Sequence, residues 1–132
     1  MIGLDTNVLV RYITSDDSKQ AALAGRLIES LDEQSPGYIT LVTLVELCWV
    51  LESAYQFSRS QLVEVFQTLI AIENFKIDRV SVVASAVRQY SESKADFADC
   101  LIERLSSAAG CQHTMTFDKA AAKTAGMQLI GA

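Results

Sequence analysis

Five carboxylates stand apart from the other acidic residues by where they fall in the chain. Asp5 closes the short apolar run Ile2-Gly3-Leu4 just as helical spacing begins, and Asp118 closes the run His113-Thr114-Met115-Thr116-Phe117 in the same way. Asp is a favoured helix cap, so a capping role competes with a chemical one at both positions. Glu46 is the only charge between Tyr38 and Leu51, amid Leu44, Val45, Leu47, Cys48 and Trp49. A helix that is apolar all round is expected to be buried. A carboxylate buried there needs an Arg, a Lys or a metal ion, or else it takes up a proton. Asp96, Asp99 and Glu103 recur at i, i+3 and i+7 and so share one helical face. Asp99 borders the expected apolar stripe Ala98, Leu101, Ile102 and Leu105, whereas Glu103, beside Arg104, reads as solvated surface. Converging acids repel unless a cation stands among them, and oxygen-rich sites with few protein ligands suit Mg²⁺ or Mn²⁺. His113 is the only histidine and falls in a strand pattern, so a serine or cysteine triad has no general base.

The elements that must position these acids follow from patterning. After the first short strand, Val8, Leu9, Tyr12 and Ile13 have helical spacing. Ser15-Asp16-Asp17 caps a second helix with Ala22, Leu23, Leu27, Ile28 and Leu31 on its inner face, and Pro36-Gly37 ends that segment. Tyr38-Ile39-Thr40 is a strand, Leu41 to Tyr55 a helix, and Ser58 caps a helix turning Leu62, Val65, Phe66, Leu69 and Ile70 inward. Phe75-Lys76-Ile77 is a strand, and Ser81 opens a helix through Val82, Val83, Ala86, Val87 and Tyr90. A further helix runs from about Asp96 to Ala109, stopped by Gly110. His113–Phe117 is a strand, Asp118 caps a short helix ending at Gly126, and Met127–Ile130 is the final strand. Strands alternating with helices point to an α/β fold with an open, mainly parallel sheet, whose chemistry gathers beyond the carboxyl ends of the strands.

Composition bounds the function. The chain has 132 residues, half of them apolar and a fifth charged, with a formal charge of −5. That suits one folded domain rather than a disordered chain, and argues against a broad basic footprint for nucleic acid or anionic membrane. Three cysteines without a Cys-x-x-Cys pair indicate neither a disulfide framework nor a zinc ribbon. Met-Ile-Gly-Leu-Asp is no signal peptide, and the apolar window Tyr38–Leu51 is short of the ~20 residues a membrane span needs. No membrane association and a cytoplasmic location are expected.

Four segments recur in order along the chain: Leu4-Asp5-Thr6-Asn7-Val8-Leu9-Val10, Glu46 in its apolar helix, Ala95-Asp96-Phe97-Ala98-Asp99-Cys100-Leu101-Ile102, and Thr116-Phe117-Asp118-Lys119. Together they resemble the motifs of PIN-domain proteins, specifically the VapC-type toxins of type II toxin–antitoxin modules. The segment after Asp99 departs from that pattern, with Cys-Leu-Ile-Glu-Arg where small residues are more usual. The resemblance implies a three-layer α/β/α sandwich with a central, mainly parallel sheet, residues 1–132 forming a single PIN domain. It also implies an Mg²⁺- or Mn²⁺-dependent endoribonuclease that hydrolyses phosphodiester bonds by metal-activated water, leaving 5′-phosphate and 3′-hydroxyl ends. By motif position, Asp5, Glu46, Asp99 and Asp118 are the catalytic and metal-binding acids, and Asp96, Asn7 and Thr116 are auxiliary. The implied partners are an RNA substrate, a cognate antitoxin protein and a second copy of the chain in a homodimer. Trp49, Phe57 and Phe66 are read either as such contacts or as core. Arg11, Lys94 and Lys119 are read either as phosphate contacts or as solvated charge.

Two alternatives come from other classes. A phosphoacceptor signalling module of the receiver type also carries acids at strand ends, but no acidic doublet stands at the first strand here. A non-catalytic PIN-like binding protein has no use for clustered carboxylates. Without the five acids of the expected site, 11 acidic residues remain against 11 basic ones. The negative balance is then the site itself.

Overall fold

Asp5 turns the chain into a helix at once, so the first strand, β1 (Ile2–Gly3), is only two residues long. The computed structural model describes residues 1–131. Ala132, the last residue of the expected single domain, lies outside them. Two compact units are present, Met1–Asp78 and the segment from Arg79 onward.

In the first unit, α1 (Thr6–Thr14) and α2 (Ser18–Glu29) follow β1. The turn between them passes through Ser15 in the left-handed region, and Asp17 caps α2 by accepting from the Gln20 amide at 3.0 Å. Then come β2 (Gly37–Ile39), α3 (Leu41–Tyr55), α4 (Arg59–Ala71) and β3 (Phe75–Ile77). Thr40, expected to end the β2 strand, instead caps α3 by accepting from the Thr43 amide. Ser58 and Gln61 form a reciprocal capping box at α4. The sheet order is β1-β2-β3 and both pairings are parallel, with Gly37 between Ile2 and Phe75 and Ile39 beside Ile77. Each parallel step needs a crossover, which the intervening helices provide. The core holds Leu4, Leu9, Ile39, Leu44, Leu47, Leu51, Leu62, Phe66 and Leu69, each at most 3% exposed.

The expected inner face of α2 is corrected. Within the helix only Ala24 is buried, Ala22 and Leu23 are exposed, and Leu27 and Ile28 are half-buried, while Leu31, just past the helix end, is buried as expected. The helix packs chiefly on α1, so a single neighbour covers a narrow stripe.

In the second unit, α5 (Val80–Glu92) starts from Arg79 in the left-handed region without a side-chain cap, one residue before the expected Ser81. It packs on α6 (Phe97–Ala108), where Tyr90 and Phe97 meet edge-to-face with ring centres 5.7 Å apart. Gly110, at φ +97°, lets the chain leave α6. The Cys111 amide donates to the Ser106 carbonyl and the Gly110 amide to the Ser107 carbonyl, closing the helix end. Phe97, Cys100 and Leu101 form the buried face of α6; Ile102, expected inward, is 50% exposed. β4 (Met115–Thr116), α7 (Lys119–Thr124) and β5 (Gln128–Leu129) complete the unit. The two strands pair in parallel, Met115 with Gln128 and Thr116 with Leu129. The strand expected over His113–Phe117 narrows accordingly, and His113 lies outside it, exposed.

The chain is therefore mixed α/β with parallel sheet throughout, as expected of a PIN-like fold; the strands form a three-stranded and a two-stranded ladder. Cys48 and Cys100 are buried thiols and Cys111 is exposed. Among the described residues no helix is long and apolar enough to cross a membrane.

Candidate active site

Asp5 sits at the junction of β1 and α1 because its side chain caps the helix: Oδ1 accepts from the Thr6 amide at 2.8 Å. The capping role and the expected chemical role therefore coincide in one residue. Oδ2 has no hydrogen-bond partner among the described residues, and the side chain is exposed.

Glu46 corrects an expectation. It is exposed, on a face of α3 that also bears Val42 at 71% and Trp49 at 69% exposure. The inward residues are Thr43, Leu44, Leu47, Cys48 and Leu51. Helical periodicity carries no signal here because both faces are apolar in composition, so burial of Glu46 does not follow. The side chain is nonetheless held. Thr6, only 6% exposed, donates its hydroxyl to Oε1 of Glu46 at 2.7 Å. No local pattern in the sequence links Thr6 to a residue forty positions away. Asn7 is exposed in the first turn of α1 and lines a groove of about 290 Å³ between α1 and α2 with Val8, Arg11, Leu23 and Leu27.

In the second unit, Asp96 occupies the N-cap position of α6 but makes no side-chain capping bond. Asp99 lies in the first turn of the same helix, half-buried. Its carboxyl is held above the usual carboxylate range by burial first, and then by the negative charges of Asp96 and Asp118. Asp118 caps α7, Oδ1 accepting from the Ala120 amide at 2.8 Å and the Ala121 amide at 3.2 Å. Thr116 fixes the approach to that cap, its hydroxyl oxygen accepting from the Asp118 amide at 2.9 Å. Phe117, between them, is 80% exposed.

Within its own unit, none of the five acids forms an ion pair with Lys or Arg among the described residues. The bridge of the first unit is Arg11–Asp16 and that of the second Arg104–Glu103. Glu103 is thus paired with its neighbour, but its side chain is only 13% exposed, so the reading of it as solvated surface is corrected. Arg11 is committed to Asp16, Gln20 and Tyr55, while Lys94 and Lys119 are exposed. Neither unit by itself gathers three His, Cys, Asp or Glu side chains tightly enough to hold a metal ion, among the described residues. What each offers is hard oxygen: the uncommitted Oδ2 of Asp5 and of Asp118, the exposed Glu46, the uncapped Asp96, and Asp99 under like-charge pressure. That donor chemistry suits Mg²⁺ or Mn²⁺ and not a soft metal.

Of the aromatic residues weighed as contacts, Trp49 is exposed, Phe66 belongs to the core and Phe57 is half-buried. Phe57 lines a groove of about 400 Å³ with Tyr12, Ile13, Val65 and Leu69.

The PIN domain family model matches residues 2–127. The chain is also similar to the VapC ribonuclease of Aquifex aeolicus (strain VF5), with 23% identity over 116 residues, covering 88% of this chain and 86% of that protein.

Proposed function

This chain belongs to the PIN domain family, and from that premise we propose that it is a divalent-metal-dependent endoribonuclease, the toxin of a toxin–antitoxin pair. The observation that carries the reading is that the proposed acids stand without a basic partner within their units, Asp99 above all. Its carboxyl is pushed up by burial and by two neighbouring acids, with no basic residue paired to it in its unit. A bound cation would relieve that pressure. The ribonuclease relative, matched over most of both chains, supports the same reading.

Asp5, Glu46, Asp99 and Asp118 would hold Mg²⁺ or Mn²⁺, with Asp96 as an auxiliary acid. When bound, the ion supplies Lewis-acid stabilisation of phosphoryl charge and lowers the pKa of an attacking water. The chain's own part is positional. Thr6 holds Glu46 through its hydroxyl and Asp5 through its amide, so one residue orients two acids. Capping bonds fix Asp5 and Asp118 through one oxygen each and leave the second oxygen for a ligand. Thr116 sets the backbone from which Asp118 projects. Preorganised acids of this kind need no reordering when substrate arrives.

Residues 1–132 are read as a single PIN domain, supported by a family match that runs through both units. The cognate antitoxin and a second copy of the chain are the proposed protein partners. The exposed Val42 and Trp49 on α3 and the apolar groove lined by Tyr12 and Phe57 are the surfaces offered to them. A cytoplasmic location belongs to the same reading.

The test is purified protein on structured RNA with Mg²⁺ or Mn²⁺. Cleavage leaving 5′-phosphate and 3′-hydroxyl ends, abolished by EDTA, is the expected result. Undiminished cutting in excess EDTA contradicts the proposal.

A further inference from the structure

The α5–α6 pair carries a polar groove that the acids do not use. Ser81, Ser85, Arg88 and Glu92 stand at i, i+4, i+7 and i+11 on α5, one stripe of the helix rising about 16 Å. Arg104 meets this stripe from α6. A cavity of about 450 Å³ is lined by Ser85, Arg88, Gln89, Glu92, Ser93 and Arg104, and one of about 220 Å³ continues it past Ser81 and Ser107. Both share Ser85 and Arg104, so they form one groove within the second unit.

Its walls hold groups without protein partners. The Arg88 guanidinium makes no ion pair and no hydrogen bond among the described residues, and the Ser85 hydroxyl has no partner among them either. Arg104 is engaged by Glu103 through Nε and Nη2, leaving Nη1 uncommitted. Gln89 donates through Nε2 to the Ala125 carbonyl at 2.9 Å, while its Oε1 is buried with no hydrogen-bond donor. Buried acceptors without donors are rare and costly, and Gln89 is one of the residues that line the cavity.

These groups select among ligand classes. A divalent cation is repelled by Arg88 and Arg104, and an apolar ligand leaves the guanidinium and the Gln89 side chain unpaired. A nucleotide satisfies both kinds of wall. Its phosphate takes guanidinium and hydroxyl donors, and its ribose hydroxyl or base amine supplies donors to Gln89 Oε1 and Glu92. The larger cavity is within the usual size of a small-ligand pocket.

We propose that the α5–α6 groove is a subsite for one nucleotide of single-stranded RNA outside the bond that is cut. Arg88 and Arg104 receive the phosphate, and Gln89 with Glu92 accepts from the sugar or base. The inference rests on the endoribonuclease reading for its biological use, but nucleotide binding in the groove stands or falls by itself.

The experiment has two arms on the full chain. In the first, ¹H–¹⁵N spectra are recorded in EDTA while each nucleoside 5′-monophosphate is added; shifts centred on Ser85, Arg88, Gln89 and Arg104 are expected. In the second, a fluorescein-labelled single-stranded oligoribonucleotide is bound in EDTA and cut in Mg²⁺ by wild type and Arg88→Ala, with Arg26→Ala as the charge-matched control. Arg88→Ala weakens binding about tenfold, lowers the slope of log affinity against log salt by about 0.7, and raises KM more than it lowers kcat. Gln89→Leu, which removes the acceptor, weakens mononucleotide binding without changing the salt slope. Shifts elsewhere in the chain, or an Arg88→Ala protein with unchanged affinity, salt slope and KM, overturn the subsite. If wild type cuts no RNA yet mononucleotides still shift these four residues, the ribonuclease reading fails and the nucleotide site survives.

Discussion

Thr6 donates its hydroxyl to Oε1 of Glu46 at 2.7 Å, tying the first residue of α1 to the middle of α3. The donor is buried and the acceptor exposed, so the bond anchors a surface carboxylate to the core. Because the Thr6 amide also donates to Asp5, the two proposed acids of the first unit are held by one residue.

Replacing that hydroxyl separates positioning from folding. Thr6→Val keeps the shape, removes the donor and is expected to cost about 1 kcal/mol of stability. Supporting contacts of this kind typically govern about 10–100-fold in metal affinity or activity, and a loss in that range is predicted at limiting Mg²⁺. Thr6→Ser restores it. Equal activity of the Val and Ser variants across a Mg²⁺ titration contradicts the role.

Asp99 sets a pH dependence whose sign is defined. Its folded pKa is raised, so ionising it costs folding stability as pH climbs from the ordinary carboxylate range through that raised value. In EDTA, Asp118→Asn and Asp96→Asn each remove a repelling charge. Each is expected to lower the Asp99 pKa in a carboxyl ¹³C titration. Asn can still cap α7 through its side-chain oxygen, but Asp118→Asn also removes a negative charge from the helix N-terminus, so the titration and not the melting temperature is the deciding measurement. An Asp99 pKa unmoved by both substitutions contradicts the electrostatic account.

Asp16 behaves in the opposite sense. Its carboxyl is held below the usual range chiefly by the Tyr55 hydroxyl, then by Thr14 and Arg11, against opposing desolvation. Stability from this hub is present above the ordinary carboxylate pKa and is lost as pH falls through the lowered folded value. Tyr55→Phe is expected to flatten the acid limb of the stability curve while leaving RNA cleavage intact. An unchanged acid limb contradicts it.

Gly37 leaves no room for a side chain at its place in β2. A Cβ there would lie 2.8 Å from Leu4 Cδ1 and 2.9 Å from Leu31 Cδ1, both on buried side chains. Gly37→Ala is predicted to destabilise by about 1–3 kcal/mol in urea unfolding. Gly3→Ala, with nothing within 4 Å, serves as the comparison and is expected to change little.

Local chemistry made much of this molecule legible in its sequence. Asp5, Asp17, Ser58 and Asp118 cap helices because each needs only amides one to three residues away. Gly110 ends α6 for an equally local reason. Strand ends are less legible, since pairing partners are distant: the apolar run His113–Phe117 keeps only Met115–Thr116, the part matched by Gln128–Leu129. Glu46 shows the deeper difficulty. Its neighbours are apolar on both faces of α3, so composition predicts burial where Val42 and Trp49 are exposed. The Thr6–Glu46 bond has no sequence signature, because tertiary structure alone brings positions 6 and 46 together.

The most direct measurement of the central claim is Mn²⁺-induced paramagnetic broadening of the amide resonances of the full chain. Asp5, Glu46, Asp99 and Asp118 are predicted to broaden together at the same low Mn²⁺ ratio. Asp5→Asn or Asp99→Asn is predicted to weaken the effect at all four positions, in parallel with the loss of RNA cleavage. Broadening that spares Asp5 and Glu46, or that persists unchanged in both variants, would contradict the assignment of these acids to a common metal.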